Sequence, residues 1–338
     1  MRVKHSRLVL LLLLVSELWA PPCGAQQAPK LEDIRVSFAS FGVIYYPHLI
    51  AKGLGFYQDE GLNIEIIAMP GGLATQALVA GDLHFSTSSG SSLNASLRGI
   101  KLKVVYVNLD RPLYRLWSWR DEIRKVTDLR GKGIGVASRG DTMEGAANLL
   151  LRKHGMDPAR EVIWVALGTS GRLTSLLAKS VDSAVLGFAD SHLLQTRGHP
   201  VHEVANIGKE IKMLYTGLAT SEELLVKRPD LVRRFIRATV KGREFLKRYK
   251  SQSLALGKKY DRSPDDVRNA DYEATMEMMT AEGTEDFETQ KSDIDIGRRA
   301  LGIQKEVAPQ QVFDFRYVRE VYKELREVGW ERALKAGK

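Results

Sequence analysis

An α/β fold of mostly parallel sheets, divided between two lobes, is what this sequence predicts, on three observations. Short alternating runs with strand character are separated by apolar stretches of helical period, the order that produces parallel pairing. The segment from Tyr46 to Glu65 compresses a helix, a turn and a strand without slack. The 338-residue chain, about 310 residues without its first 25, exceeds the usual size of one compact domain. Two lobes follow, and no repeat, low-complexity tract or proline-rich linker separates them.

The chain opens with Arg2, Lys4 and Arg7, an apolar run from Leu8 to Val15, and a turn-prone exit from Pro21 to Ala25. A bilayer-spanning helix needs roughly 20 apolar residues, so this is the layout of a secretory signal cleaved near Ala25. Cys23 leaves a lipid anchor as the alternative, against which Pro22 argues. No transmembrane helix is predicted after the signal. Without Cys23, the single cysteine, there is no thiol, disulfide or cysteine metal site, which an oxidising compartment tolerates. Loss of residues 1–25 removes three basic residues and Glu17, lowering the net charge from +9 to +7. The remaining bases share helices with acids, as solvated faces do, and not a stripe interleaved with aromatics, so nucleic-acid binding is not predicted.

In the organising segment, Leu49, Ile50 and Leu54 recur at helical spacing, Gly53 and Gly55 weaken the helix toward its end, and Gly61 supplies the positive φ that reverses the chain. Leu62, Ile64 and Ile66 then alternate with Asn63 and Glu65 as a strand. The string Pro47, Leu49–Gly53, Gly55–Tyr57 and then Glu60–Ile66 resembles the first helix and second strand of periplasmic solute-binding proteins. The branch it resembles serves ABC importers of sulfonates, taurine, nitrate and thiamine pyrimidine precursors. The resemblance implies a two-lobed type II binding-protein fold with two interlobe crossovers, near 110–117 and 212–217. The expected organisation is residues 31–112 in lobe 1, 113–216 in lobe 2, and 217–338 as a largely helical return to lobe 1.

Taken in order, 34–39 is the first strand, 64–68 the second, 83–86 the third and 102–107 the fourth. Sites in such sheets lie beyond the carboxyl ends of the strands. That places the loops 40–46, 70–73 and 87–92 on one rim. From the first, Ser40 and either Tyr45 or Tyr46, but not both, are expected to line the cleft; Gly71 belongs to the glycine turn of the second. Ser88 and Ser89 offer hydroxyls and amides at a helix start, either to a ligand or as simple caps. Gly81 and Asp82, although the run Ala77–Phe85 again resembles the family, read as architecture.

The run Val126–Val136 resembles the family's passage into its second lobe. After it, Ser138, Arg139, Gly140 and Thr142 lie at a strand end, and Asp141 with Glu144 reads as a capping box for the helix that Gly155 ends. A helix start favours an anion by about 0.3–1 kcal/mol. Arg139 would either add a two-pronged donor for a carboxylate, sulfonate or phosphate, or be a surface arginine pairing with Asp141. Thr169 follows the strand 162–167. Asp190 follows 181–186, a strand that resembles the family's Val-Asp-Ala-Ala run, and is either a ligand contact or a helix cap. Trp117 offers one more aromatic face. The C-terminal part is helical, with Thr220 and Glu223 as a capping box, Met276, Met278 and Met279 as core filler, and 243–250 as a solvated basic face.

No Walker or dinucleotide glycine pattern opens a helix, the histidines show no metal spacing, and the serines lack a nucleophile elbow. No catalytic residue, metal or cofactor is therefore predicted. The expectation is a periplasmic, monomeric solute-binding protein that closes its lobes on a small anionic or aromatic ligand and delivers it to an ABC transporter permease. The alternatives are an exported lyase or transferase on the same fold, or a receptor for a signalling partner; enzymes of pyrimidine and menaquinone biosynthesis resemble this fold, although the cysteine-rich motif of the fungal pyrimidine synthase is missing here.

Overall fold

The computed structural model describes residues 30–335. The predicted signal and Cys23 lie outside the described residues. The strands are β1 (Glu32–Phe38), β2 (Leu62–Ala68), β3 (Phe85–Ser86), β4 (Leu102–Leu109), β5 (Arg115–Ser118), β6 (Gly133–Val136), β7 (Ile163–Ala166), β8 (Ser183–Leu186), β9 (His202–Asn206) and β10 (Thr216–Ser221). The helices between the strands are α1 (Tyr46–Gly53), α2 (Phe56–Asp59), α3 (Gly71–Ala80), α4 (Ser89–Leu97), α5 (Thr142–Lys153), α6 (Gly168–Leu177), α7 (Phe188–Arg197) and α8 (Ile207–Glu210). After β10 come α9 (Glu222–Lys227), α10 (Pro229–Arg248), α11 (Lys250–Gly257), α12 (Asp265–Met278), α13 (Phe287–Leu301), α14 (Arg316–Val328) and α15 (Trp330–Ala333).

Two five-stranded sheets form, in the orders β2-β1-β3-β10-β4 and β7-β6-β8-β5-β9. In the first, β1 runs parallel to β2 and β3, and β10 is antiparallel to both its neighbours. In the second, β6 is parallel to β7 and β8, while β5 is antiparallel to β8 and β9. Each sheet is thus mixed, with four strands pointing one way and one reversed. The reversed strand in each case directly follows a passage between the sheets: the chain leaves the first after β4 and returns at β10.

The organising segment folds as its pattern predicts. Gly55 (φ +81°) separates α1 from α2, and Gly61 (φ +73°) turns the chain into β2. Apolar residues of β1, α1 and α2 pack with Phe235 and Ile236 of α10 and with Val318 and Val321 of α14 into one core. Phe85 and Phe235 stack with ring centroids 4.0 Å apart. His48 is buried there against the Tyr57 hydroxyl at 3.2 Å, and burial pushes its imidazole down to about 3, so it is a neutral core group. Helix α10 crosses α1 at backbone contact: a Cβ on Gly242 would lie 2.0 Å from the Pro47 carbonyl oxygen. Around the second sheet, Leu116, Ile134, Val136 and Val185 meet α5, while Trp117, Ala184 and Leu186 meet Leu176 of α6 and Leu194 of α7.

Several boundaries differ from expectation for local reasons. Helix α4 begins at Ser89, so the serine-rich turn is partly the helix's first turn. Gly71 opens α3 behind Pro70, whose fixed φ suits a helix entry, and is not a loop residue. Ser221, not Thr220, caps α9 by accepting from the Leu224 amide, because the Thr220 hydroxyl donates to the His84 carbonyl. Strand β9 was not anticipated. The basic run is also not uniformly solvated: Arg243 is fully buried, since it falls on the same face of α10 as Phe235, Ile236, Thr239 and Leu246. Its guanidinium donates to Glu244, to the Tyr322 hydroxyl and to the Thr280 carbonyl.

Candidate functional site

On the first sheet, the ends of β1, β2 and β3 bring together most of the residues expected there. Tyr45 is buried, and its hydroxyl lies within hydrogen-bonding reach of Ser40 and Thr87. Burial raises its phenol above the ordinary range, against the effect of those two hydroxyls. Thr87 itself donates to the Ser37 carbonyl at 3.0 Å, which leaves its oxygen free to accept. Gly71 backs onto the serines, because a Cβ there would lie 2.8 Å from Ser91 Oγ and 3.3 Å from Ser88 Oγ. The hydroxyls of Ser88, Ser89 and Ser92, together with that of Thr216, are buried with no hydrogen-bond partner among the described residues. Ser89 packs on β10, where a Cβ on Gly217 would lie 3.3 Å from its Oγ. None of these serines caps α4.

Tyr46 is a correction. It points the other way into the core, fully buried, with its hydroxyl donating to Asp261 at 3.2 Å and its ring filling the space over Gly257. Consecutive residues at a helix start cannot face one cleft together, and Tyr45 is the one turned toward the strand ends. Trp117 is likewise interior, with its indole donating to Ser191 at 3.0 Å.

On the second sheet, Ser138, Arg139 and Thr142 surround the start of α5 and are exposed. Asp141 caps the helix by accepting from the Glu144 amide at 2.8 Å, as expected. Arg139 takes neither of its two expected roles cleanly. Its guanidinium forms a two-pronged contact with Glu144 at 3.0 and 3.1 Å, not with Asp141, and so its donors already face an anion of the chain itself. Thr169 is exposed in the first turn of α6, and its carbonyl accepts from Arg172. Asp190 stands in the first turn of α7, where Gly187 holds the cap position, so it is not the cap. Its carboxyl is raised by burial and partly restored by Arg172, 4.0 Å away.

Four groups that the sequence reading did not select join these rims. Arg172 is buried and donates to the Val185 and Thr169 carbonyls. Tyr114 and Tyr215, one on each passage between the sheets, pack edge to face with centroids 5.2 Å apart. Burial pushes the Tyr114 phenol up to about 12, with Asp141 adding to the rise and Arg172 opposing it. The Tyr215 phenol is held well above its ordinary range, by burial first and by Tyr114, Tyr45 and Asp271 after it. Tyr114 is therefore within electrostatic reach of Tyr45 as well as of Asp141 and Arg172. Asp271 of α12 accepts from the Val43 amide at 3.2 Å, and burial pushes its carboxyl up to about 6. Their only sequence signal is that the two tyrosines lie on the predicted crossovers; the burial of Arg172 and Asp271 is decided by contacts distant in the chain.

The arrangement is hydroxyl-rich and aromatic. Among the described residues, no group of three or more histidine, cysteine, aspartate or glutamate side chains has metal-holding geometry, and no helix is long and apolar enough to cross a membrane.

The chain is 25% identical over 257 residues to the riboflavin-binding protein RibY of Chloroflexus aurantiacus, covering 69% of this chain and 71% of that one. Its fold matches the periplasmic sulfonate-binding protein SsuA from Methylobacillus flagellatus KT with a TM-score of 0.75 at 16% identity, over 89% and 97% of the two chains. It also matches the desulfurization enzyme DszB, with a TM-score of 0.59 at 14% identity, over 87% and 99%. The architecture is that of periplasmic binding proteins, and it accommodates catalysis in at least one case. The model of the family described as NMT1/THI5 like matches residues 45–252, more than half of the sequence, and the chain belongs to that family.

Proposed function

We propose that this protein is an extracytoplasmic solute-binding protein that closes two lobes, 31–112 with 217–338 and 113–216, around a small acidic or aromatic ligand and passes it to an ABC importer. The observation that carries the reading is the set of buried, unpartnered hydroxyls at the start of α4, next in the chain to Thr87, whose hydroxyl the neutral Tyr45 phenol reaches. Buried polar groups are ordinarily satisfied, so hydroxyls left without partners at a helix start suit a ligand that supplies acceptors. The names of RibY and SsuA support the class. Ser40, Tyr45, Gly71, Ser88 and Ser89 form one wall, and Ser138, Thr142, Thr169, Asp190 and Arg172 the other, with Tyr114 and Tyr215 between them. Arg139 is a peripheral member of the second wall. The ligand has a planar or acidic group of modest size. Export through the signal, cleavage near Ala25, a periplasmic location and a monomeric state complete the proposal.

Thermal-shift screening of the purified protein against alkanesulfonates, nitrate, aromatic carboxylates, pyrimidines and flavins tests it. A ligand at 100 times its Kd stabilises the native state by about 2.7 kcal/mol. Recovery of the ligand unchanged establishes binding without turnover. Recovery as product replaces the reading with an enzyme, and silence across the panel removes its support.

A further inference from the structure

Away from the rims, two carboxyl groups meet where the chain passes back to the first sheet. Glu285 is 3% exposed and Asp293, on α13, is 5% exposed. Asp293 accepts the Leu214 amide at 2.9 Å, two residues before β10 begins. Both carboxyl oxygens of Glu285 lack a donor among the described residues, and the group in direct contact with it is Asp293. Two carboxylates have acceptors only, so the pair is satisfied when one member carries a proton and donates it to the other. A buried pair also cannot hold two negative charges in contact.

The surroundings do not remove the need for that proton. Asp110 on the first passage and Asp286 at the cap of α13 are the other charged groups in reach, and Arg111 and Lys212 act on Asp110. Lys212 on the second passage is engaged with Asp286 at 2.9 Å and with Asp110 at 3.9 Å. Gln290 donates to the Glu285 carbonyl, not to its carboxyl. Glu285 also borders an open cavity of about 550 Å³ whose lining includes Asp314, Arg316 and Arg319, and of these Arg316 is held by Asp314 at 2.8 Å. Water therefore has access close to the pair.

We propose that Glu285 and Asp293 share one proton beneath the second interlobe passage, and that loss of this proton at alkaline pH destabilises the fold. Burial raises both groups above the usual carboxylate range, with the neighbouring carboxyls adding to the rise of Glu285 and the Leu214 amide opposing that of Asp293, which is pushed up to about 8. The sign follows: from about pH 4 to about pH 8 the native pair holds a proton that the unfolded chain has shed, so this contribution to stability falls as pH rises. Above that range the native pair itself ionises, and the two buried carboxylates repel each other. The inference stands on the pair and the passage and is independent of the ligand.

The test compares the full-length protein with Glu285→Gln, whose amide donates to Asp293 as the proton does. In urea denaturation from pH 5 to pH 8, the folding equilibrium constant of the wild type is expected to fall relative to the variant by up to about tenfold per pH unit. Parallel pH profiles of wild type and variant overturn the proposal. Should Glu285→Gln fail to fold, Asp293→Asn is the second variant: it keeps an oxygen for Leu214 and a donor for Glu285, and the same divergence from wild type is required of it.

Discussion

Replacing Ser89 by alanine should move stability and ligand affinity in opposite directions. The Ser89 hydroxyl is 1% exposed and has no partner among the described residues, in the first turn of α4. An unsatisfied buried hydroxyl costs about 1–3 kcal/mol, and alanine is a slightly better helix former than serine, by a few tenths of a kcal/mol. The ligand-free variant should therefore be more stable than the wild type, by about 1 kcal/mol or somewhat more. With a ligand found in the panel, loss of a hydrogen bond to an ionised group costs about 1.5–3 kcal/mol, or roughly 10- to 150-fold in Kd. Urea denaturation of the ligand-free protein reads the first quantity and calorimetric titration the second. Ser91→Ala, in the same turn, calibrates the helix-propensity part. A ligand-free Ser89→Ala protein less stable than wild type by about 1 kcal/mol would show that the hydroxyl is already bonded, and the argument for a ligand contact there would be wrong.

Arg139→Ala should change affinity by less than about threefold and stability by under about 1 kcal/mol, because its guanidinium is 60% exposed and already paired with Glu144; a loss of tenfold or more by calorimetry would restore it to the ligand. Arg243→Met should cost about 1–3 kcal/mol in denaturant midpoint analysis, since it leaves the buried Thr280 carbonyl without its guanidinium donor while Glu244 keeps Lys247, Arg248 and the Tyr322 hydroxyl. Lys250→Ala, seven residues further along the same basic run, should cost under about 0.5 kcal/mol, and equal costs for the two would contradict the burial of Arg243. Asp271 holds a proton in the native state between about pH 4 and pH 6 that the unfolded chain has lost, so its contribution falls as pH rises through that window by at most about 1.4 kcal/mol per pH unit. Asp271→Asn should lack that fall, and a wild-type-minus-variant difference that stays flat across the window would show the carboxyl to be ordinary.

What was legible in the sequence followed from short-range chemistry. The turn at Gly61 and the cap at Asp141 each depend on a residue acting on its own neighbours, and each stands where the pattern put it. The alternation of strand and helix likewise gave the two-sheet architecture. Helix starts at Gly71 and Ser89 fall inside the expected loops 70–73 and 87–92, because glycine and serine weaken the local signal while the packing of the following turns still imposes a helix. The rim loops were identified by topology alone. The side chains that fill the space between them were not: Arg172, Tyr114, Tyr215 and Asp271 are drawn together by contacts from distant parts of the chain. Arg139 was visible because it sits beside a cap motif, and for the same reason its partner turned out to be local.

The reversed strand in each sheet has a consequence for the order in which the molecule can be made. Strand β10 lies between β3 and β4 and pairs with both, yet it follows β4 by more than a hundred residues of chain. Until β10 emerges, β4 has no neighbour in its own sheet, and the core still lacks α10 and α14. The N-terminal third cannot become a finished folding unit during synthesis, whereas the second sheet closes entirely within 115–206. Long-range pairing of this kind slows folding, because loop closure must precede the contacts that reward it. The middle of the chain is therefore expected to reach protease resistance first, and the two ends together, last.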